Sequence, residues 1–570
     1  MPKLRPLFLL ALALFVSAAF ISSFADAQRS AIETYAITNA RIVTTSGPVI
    51  ERGTIVIRDG LIAAVGPNVS APADARVIDG SGMTVYPGLI DSNTSLGIPP
   101  PTPAASAEVS PGGGGGFGQQ RPQAFLTALN SAQPPGLQPE VLVEDFIRPG
   151  GDQIESARNL GITAALSVPR TGIWMGQSAL INLAGDSTQE MIVKSPVAMH
   201  VGFTPLRANT YPNSLLGVFS ALRQMLLDAD RYREAQLVYQ RAPRGTRRPE
   251  HDRSLAALLP VLDGRMPVVM YADREREIIR ALDLAQEFKL NAIIAGGLEA
   301  DKVAARLRAS KIPVLLSLNF PRRTAPALPE ADPEPVRVLR ERVEAPKVAG
   351  RLAAAGVRFA FQSGSLTNIT EFHPNLLRAI DNGLSREDAL RALTAWPAEI
   401  FGVSDRLGSI EAGKIANLTI MRGDLFDRTP RVAHVFIDGR QIQLRPVPGA
   451  ASGATASGSW SINVNLGTTP VAVTMVLQQE GDRLRGSMQG PLGSADIANG
   501  SIGTGGDVRF TVPITFEGQT GEAAFAGRIT GNEIRGTVNV VGRAPGSFTG
   551  TRAGAPAQPE ASPASTPELR

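Results

Sequence analysis

Val85-Tyr86-Pro87-Gly88-Leu89-Ile90-Asp91-Ser92-Asn93-Thr94-Ser95-Leu96-Gly97 is the stretch whose reading decides the fold. The apolar residues Val85, Leu89 and Ile90 are interrupted by Pro87-Gly88, the pattern of a strand entered through a kink. Beyond the kink Asp91, Asn93 and Ser95 alternate, so the two-residue period of a strand projects them to one side.

Upstream, residues 35–80 hold β-branched-rich runs at 37–43, 53–58 and 61–65, with Asp59-Gly60 between the last two as a type I′ hairpin signal. Downstream, short apolar runs recur at 163–168, 179–183, 196–201, 267–271, 292–294, 313–318 and 357–361. Helical patterns separate many of them. Over 277–289, Ile278, Leu282, Ala285 and Phe288 follow a 3.6-residue period. Ser385-Arg386-Glu387-Asp388 reads as a capping-box-like start for a helix that runs through Thr394 and is ended by Pro397. Such alternation argues for a parallel sheet. Eight strands, counting the first, predict a closed (β/α)8, TIM-like barrel over 85–397.

Residues 398–445 return to strand chemistry, with Asp438-Gly439 as a further hairpin signal. They predict a β-sandwich built from both flanks of the barrel, 28–84 with 398–445. A Gly/Ala/Ser-rich linker at 446–457 leads to an all-β domain over 458–552. There Val508, Phe510, Val512, Ile514 and Phe516 alternate without a break, as do Val473, Met475 and Leu477. That domain closes into either a small barrel or a sandwich, and it weakly resembles the lipocalin-like modules appended to some secreted hydrolases. The Pro/Ala/Ser-rich tail, 553–570, and the Pro/Gly-rich insertion, 99–139, are too simple in composition to build a core. The insertion follows the end of the first strand, where barrel enzymes carry their chemistry, and is either a cover for that mouth or a solvent loop.

Residues 1–27 have the form of a secretory leader. Lys3 and Arg5 precede an apolar run at 7–16, and Ala25-Asp26-Ala27 supplies a small-x-small cleavage site. A periplasmic or secreted protein is expected, with no membrane span after cleavage. The 570-residue chain has no cysteine, so an exported fold must rely on its apolar core, and no thiolate is available for a metal. The formal charge is +4, and two cations and one anion leave with the leader to give +3; so small an excess implies no nucleic-acid partner.

The phrases around the first strand resemble the amidohydrolase superfamily, in its imidazolonepropionase-like secreted or periplasmic branch. Pro87-Gly88-Leu89-Ile90-Asp91 matches the family motif Pro-Gly-Leu-Ile-Asp-x-His-x-His up to its histidines. ITNARIVTTSGPVIERGTIVIRDGLIAAVG (37–66) resembles the family's sandwich strands. GVSDRLGSIEAGKIANLTIMRGDLFD (402–427) resembles its closing phrase, with Asn417 in place of the usual Asp. The resemblance spans 35–445. It implies hydrolysis of carbon–nitrogen bonds, in a non-peptide or cyclic amide, by water activated on one or two divalent metals such as zinc.

The same resemblance assigns the ligand positions, and none carries a family ligand. Asn93 and Ser95 stand where the first-strand histidines belong. GRMPVVMYADREREI (264–278) places Tyr271 at the fifth-strand ligand, with Asp273 two residues on. NAIIAGGLEADKVAARL (291–307) offers Ala295 or Gly296 for the sixth-strand histidine, and GVRFAFQSGS (356–365) puts Gly364 where the eighth-strand Asp belongs. The fourth-strand ligand has no clear counterpart. Amide, hydroxyl and phenol groups do not hold catalytic zinc, so no cofactor is expected.

Of the four histidines, His251 falls in the basic stretch 241–253, His434 in the sandwich and His373 well beyond the eighth strand. Only His200 ends a barrel strand, as a hydrogen-bonded structural residue or a ligand. Arg241, Arg244, Arg247, Arg248 and Arg253 read as a solvated loop between a helix and a strand, or else as a patch for an anionic partner. Gly172 and Gly176-Gln177 read as a turn after the second strand. Two functions follow. One is a metal-free binding or partner subunit, a pseudoenzyme serving an unknown small molecule or assembled with an intact relative in an oligomer. The other is an active hydrolase using His200, Asp273 and Tyr271.

Overall fold

The computed structural model describes residues 34–99, 126–128, 131, 133–206, 210–322, 334–444, 456–465, 470–480, 483–491, 493–502, 506–516, 519–540 and 546–553. The leader, most of the low-complexity insertion, nearly all of the linker and the tail beyond 553 lie outside the described residues. The chain divides into two units, Met1–Leu444 and Arg445–Arg570.

In the first unit, both flanks of the barrel combine in one eight-stranded sheet. Tyr35–Ile42, Ile50–Arg58, Leu61–Gly66, Arg76–Asp79 and Met83–Pro87 come from one flank, and Leu418–Arg422, Arg431–Ile437 and Arg440–Ile442 from the other. They join where Leu418–Arg422 runs antiparallel to Met83–Pro87. Asp59 and Gly60 have φ of 52° and 81°, and Asp438 and Gly439 53° and 72°, the left-handed pairs that type I′ hairpins require. Tyr35, Ile37, Ile42, Ile55, Ile57 and Phe436 form this sheet's buried face. Val85 to Pro87 therefore belong to the flanking sheet, not to the barrel. The chain crosses at Gly88, where a Cβ would overlap the Thr163 side chain.

The barrel strands are β1 (Leu89–Thr94), β2 (Ile162–Ser167), β3 (in two consecutive pieces, Trp174–Gln177 and Ala179–Asn182), β4 (Met199–Val201), β5 (Val268–Ala272), β6 (Ala292–Gly296), β7 (Val314–Ser317) and β8 (Phe359–Gln362). They lie side by side in chain order. β8 returns to β1 through the Gly364 amide on the Asn93 carbonyl (3.0 Å) and the Ser92 hydroxyl on the Phe361 carbonyl (2.6 Å).

One strand departs from the expected (β/α)8 pattern. β3 is antiparallel to both β2 and β4. Only residues 168–173 separate β2 from β3, and a parallel crossover needs a dozen or more. The chain must turn straight back, so no helix intervenes and Gly176-Gln177 lie within β3 rather than in a turn. The mouth is thus framed by the C-terminal ends of seven strands and the N-terminal end of β3.

Other boundaries shift as well. Ile90, Leu166, Leu180, Val269, Ile293 and Leu315 share their interior cluster with Ala398, Phe401, Val403 and Leu407, so the barrel core continues past 397. Pro397 does not end a helix. It sits in the first turn of Ala395–Ile400, where its missing N–H is not needed. Ser385 caps Arg386–Leu393, its hydroxyl accepting from the Asp388 amide at 3.0 Å. The end of the insertion is ordered: the Trp174 amide donates to the Gly136 carbonyl (3.1 Å) and Leu137 is buried. The arginine-rich residues 242–252 link two helices, Leu215–Arg241 and Arg253–Leu262, rather than a helix and a strand.

The second unit is a nine-stranded antiparallel sheet running from Gly458–Asn465 to Gly546–Arg552. Its first strand pairs with its last, and Pro470–Glu480 pairs with Arg483–Gly490, so eight strands close into a barrel. Trp460, Phe510, Phe525 and Phe548 fill the interior. Strand closure, rather than a two-sheet sandwich, is what buries the alternating residues.

Candidate functional site

At the mouth, Asn93 lies next to the end of β1, Tyr271 lies near the end of β5 and His200 occupies the middle of β4. The strand periods of three different elements turn these side chains inward, and they meet. The Asn93 amide donates to the Tyr271 hydroxyl at 3.1 Å, and that hydroxyl also lies 3.1 Å from His200 Nδ1. Asn93 and His200 are fully buried. Burial first, and the charge of Arg170 second, push the His200 imidazole down to about 3, so it is neutral near pH 7. Its Nε2 has no hydrogen-bond partner among the described residues. Burial holds the Tyr271 phenol above its ordinary value. His200 is also the polar group presented by the fourth strand, the position the sequence left without a counterpart.

Gly364 lies beside Asn93, as the bond between their backbones requires. Its backbone is outside the left-handed region; space is what excludes a side chain. A Cβ there would overlap the guanidinium of Arg170 and the Asn93 carbonyl oxygen. At Gly296, on β6, a Cβ would overlap the Asp273 carboxylate. One assigned ligand position, Gly364, thus has a cation in the space a side chain would need. Of the two residues offered for the sixth-strand histidine, Gly296 lies against Asp273, whereas Ala295 pairs with Tyr271 and shares the barrel's interior cluster with it. Asp273 itself is displaced from the Asn93–Tyr271–His200 chain, lining a separate cleft with Arg274, Lys302 and Arg340. Its carboxyl is held above the usual range, first by desolvation and then by the charge of Glu277. Ser95 faces a third environment, a cleft of about 280 Å³ shared with Arg170, Ser363 and Gly364.

Three participants went unnoticed in the sequence: Arg170, Asp91 and Ser363. Arg170 follows Val168-Pro169 at the end of β2, and a charge just beyond an apolar strand was its available signal. In the sequence Asp91 is visible only as part of the motif. It is fully buried, accepts from the Ser363 amide at 3.0 Å and also bonds the Ser363 hydroxyl, fastening β1 to β8. Burial pushes its carboxyl up to about 6 against the opposing effect of these bonds. The remaining histidines lie elsewhere. His373 bonds the Leu425 carbonyl, His434 pairs with Gln441 on the flanking sheet, and His251 is in the exposed basic loop.

A divalent metal of the family's kind needs several imidazole or carboxylate donors converging on one point. Here an amide, a phenol and one imidazole converge, with a guanidinium close by. Among the described residues no group of three or more His, Cys, Asp or Glu side chains could hold an ion. The residues present do not fit such a centre.

Residues 345–443 match the Amidohydrolase family. The crystal structure of an amidohydrolase from Thermotoga maritima MSB8 is similar over 72% of this chain and 100% of its own, with TM-score 0.60 and 25% identity. An enamidase from Eubacterium barkeri is 48% identical over 51 residues, 9% of this chain and 13% of its own. A dihydroorotase from Anaeromyxobacter dehalogenans (strain 2CP-C) is 40% identical over 60 residues, 10% of this chain and 14% of its own. The chain therefore spans only about an eighth to a seventh of these curated relatives. In its fold and in these matches the chain is similar to the amidohydrolase superfamily.

Proposed function

We propose that this chain is an exported amidohydrolase-superfamily protein that uses its barrel mouth to bind a small molecule, or to serve an intact relative as partner, without a catalytic metal. The observation that carries this reading is the chain Asn93–Tyr271–His200, in which the groups at two would-be ligand positions, Asn93 and Tyr271, bond each other and Tyr271 also bonds the His200 imidazole. The Arg170 guanidinium beside Gly364 adds to it, because a fixed cation repels a second one. The pattern of residues 1–27 supports export. Elemental analysis of dialysed mature protein is expected to find no stoichiometric transition metal. One or two zinc, manganese or iron ions per chain would overturn the reading.

One observation favours a second reading, a hydrolase that acts on carbon–nitrogen bonds without the family's ligands. Among the described residues His200 Nε2 is unpartnered, as the accepting atom of a general base would be. Hydrolysis of cyclic amides by the metal-free protein, abolished in His200→Gln, would favour that reading over the first.

A further inference from the structure

We infer that the cleft beside β1 and β8 takes a small monocarboxylate, seated on the guanidinium of Arg170. The inference rests on the metal-free reading, since in a metal centre the cation itself would attract an anionic group.

Arg170 is exposed at the mouth and makes no ion pair or hydrogen bond among the described residues. Its guanidinium is packed against the Gly364 backbone and the Asn93 carbonyl. A guanidinium so placed, with no carboxylate paired to it, presents its donors to the cleft. The planar fork matches a carboxylate in a bidentate pair, which gives both direction and strength. Its charge also reaches inward, disfavouring protonation of His200 and Asp91.

The rest of the lining selects among anions. Arg170 is the only cation among the residues that line this cleft, and Asp152 also lines it. One positive charge balances a monocarboxylate. A phosphate would be left half neutralised, and a dicarboxylate would face Asp152. Ser95 and Thr367 offer hydroxyls to the anion, while Leu96, Leu366 and Ile369 supply an apolar wall. At about 280 Å³ the cleft suits a short alkyl or aryl body. Gly364 is integral to this arrangement, because a side chain there would push the guanidinium away.

The test is a calorimetric titration of the full mature chain with 3-methylbutanoate, its neutral amide 3-methylbutanamide, and inorganic phosphate. The carboxylate is expected to bind at least tenfold more tightly than either control. Arg170→Gln should weaken it at least tenfold, and Arg170→Lys by less. Gly364→Ala, which keeps Arg170 but displaces its head group, should weaken it as well. Melting transitions of all three variants are recorded, and Arg170→Lys keeps the comparison readable if Arg170→Gln does not fold. Equal binding of the amide, tighter binding of phosphate, no binding of the carboxylate, or full binding by Arg170→Gln overturns the inference. Metal analysis of the same preparation separates the two readings. Metal-free protein that ignores the carboxylate sinks only the anion site, whereas stoichiometric metal sinks the reading beneath it.

Discussion

The guanidinium of Arg170 lies in the space a side chain at Gly364 would need. Residues from the ends of β2 and β8 are thereby coupled: the arginine requires the glycine. Reinstalling family residues one position at a time therefore meets an obstacle that the sequence does not display. The fourfold change Asn93→His, Ser95→His, Tyr271→His and Gly364→Asp should not by itself confer stoichiometric zinc, because the carboxylate introduced by Gly364→Asp would pair with Arg170. Adding Arg170→Ser should raise zinc content. Equal zinc in both, by elemental analysis, would show that Arg170 does not control the site.

Tyr271→Phe isolates the central hydroxyl. Its loss leaves the buried Asn93 amide and His200 Nδ1 without their common partner. An unsatisfied buried polar group costs about 1–3 kcal/mol. The expected result is a fall of that size in urea-unfolding free energy, with the fold retained. A change within about 0.5 kcal/mol, the usual range for a surface substitution, would mean that solvent already satisfies the chain.

The barrel was legible because its strands are short apolar runs bounded by turn residues, and because Leu89–Asp91 and the closing phrase carry a specific pattern. Strand direction was not legible in the run at 179–183. A buried strand reads the same both ways; only the six residues available after β2 decide that β3 returns. The meeting of Asn93 with Tyr271 followed from reading phrases against a family. The role of Arg170 did not, because what matters is the side-chain space at Gly364 that the guanidinium fills, and volume across a barrel leaves no trace in local sequence. Pro397 misled for a related reason: the residue stops a helix only from inside, and here it begins one.

The two units have separate cores, so a truncation after Pro448 should keep one cooperative melting transition of its own. The second unit ties its own ends together, Trp460 pairing with Arg552 across the first and last strands. Trp460 is the single tryptophan in that unit, since the other two are Trp174 and Trp396. Its indole N–H bonds the Ala456 carbonyl at 2.9 Å, and Arg552 stacks 4.7 Å from its ring. Residues 456–553 alone should show native-like Trp460 fluorescence that is lost in one step in urea. Aggregation of the 1–448 truncation, with loss of its transition, would show that the units share a core.

Asp91 and His200 shape the pH dependence of stability in opposite directions. Folding raises the Asp91 value from 3.8 to about 6, so between these values the folded chain holds a proton that the unfolded chain has released. Stability from this group falls as pH rises through that window. Folding lowers the His200 value from 6.5 to about 3, so there the unfolded chain holds the extra proton, and stability rises with pH. Each slope is at most about 1.4 kcal/mol per pH unit, and over roughly pH 4 to 6 the two oppose one another. Asp91→Asn removes the first contribution and should make stability climb more steeply with pH than in the wild type. His200→Gln removes the second and should make it climb less or decline. Urea midpoints at pH 4, 5 and 6 decide the matter, and comparing variants cancels the carboxylates they share. Parallel pH profiles for all three proteins would show that neither group is as deeply buried in solution as the fold places it.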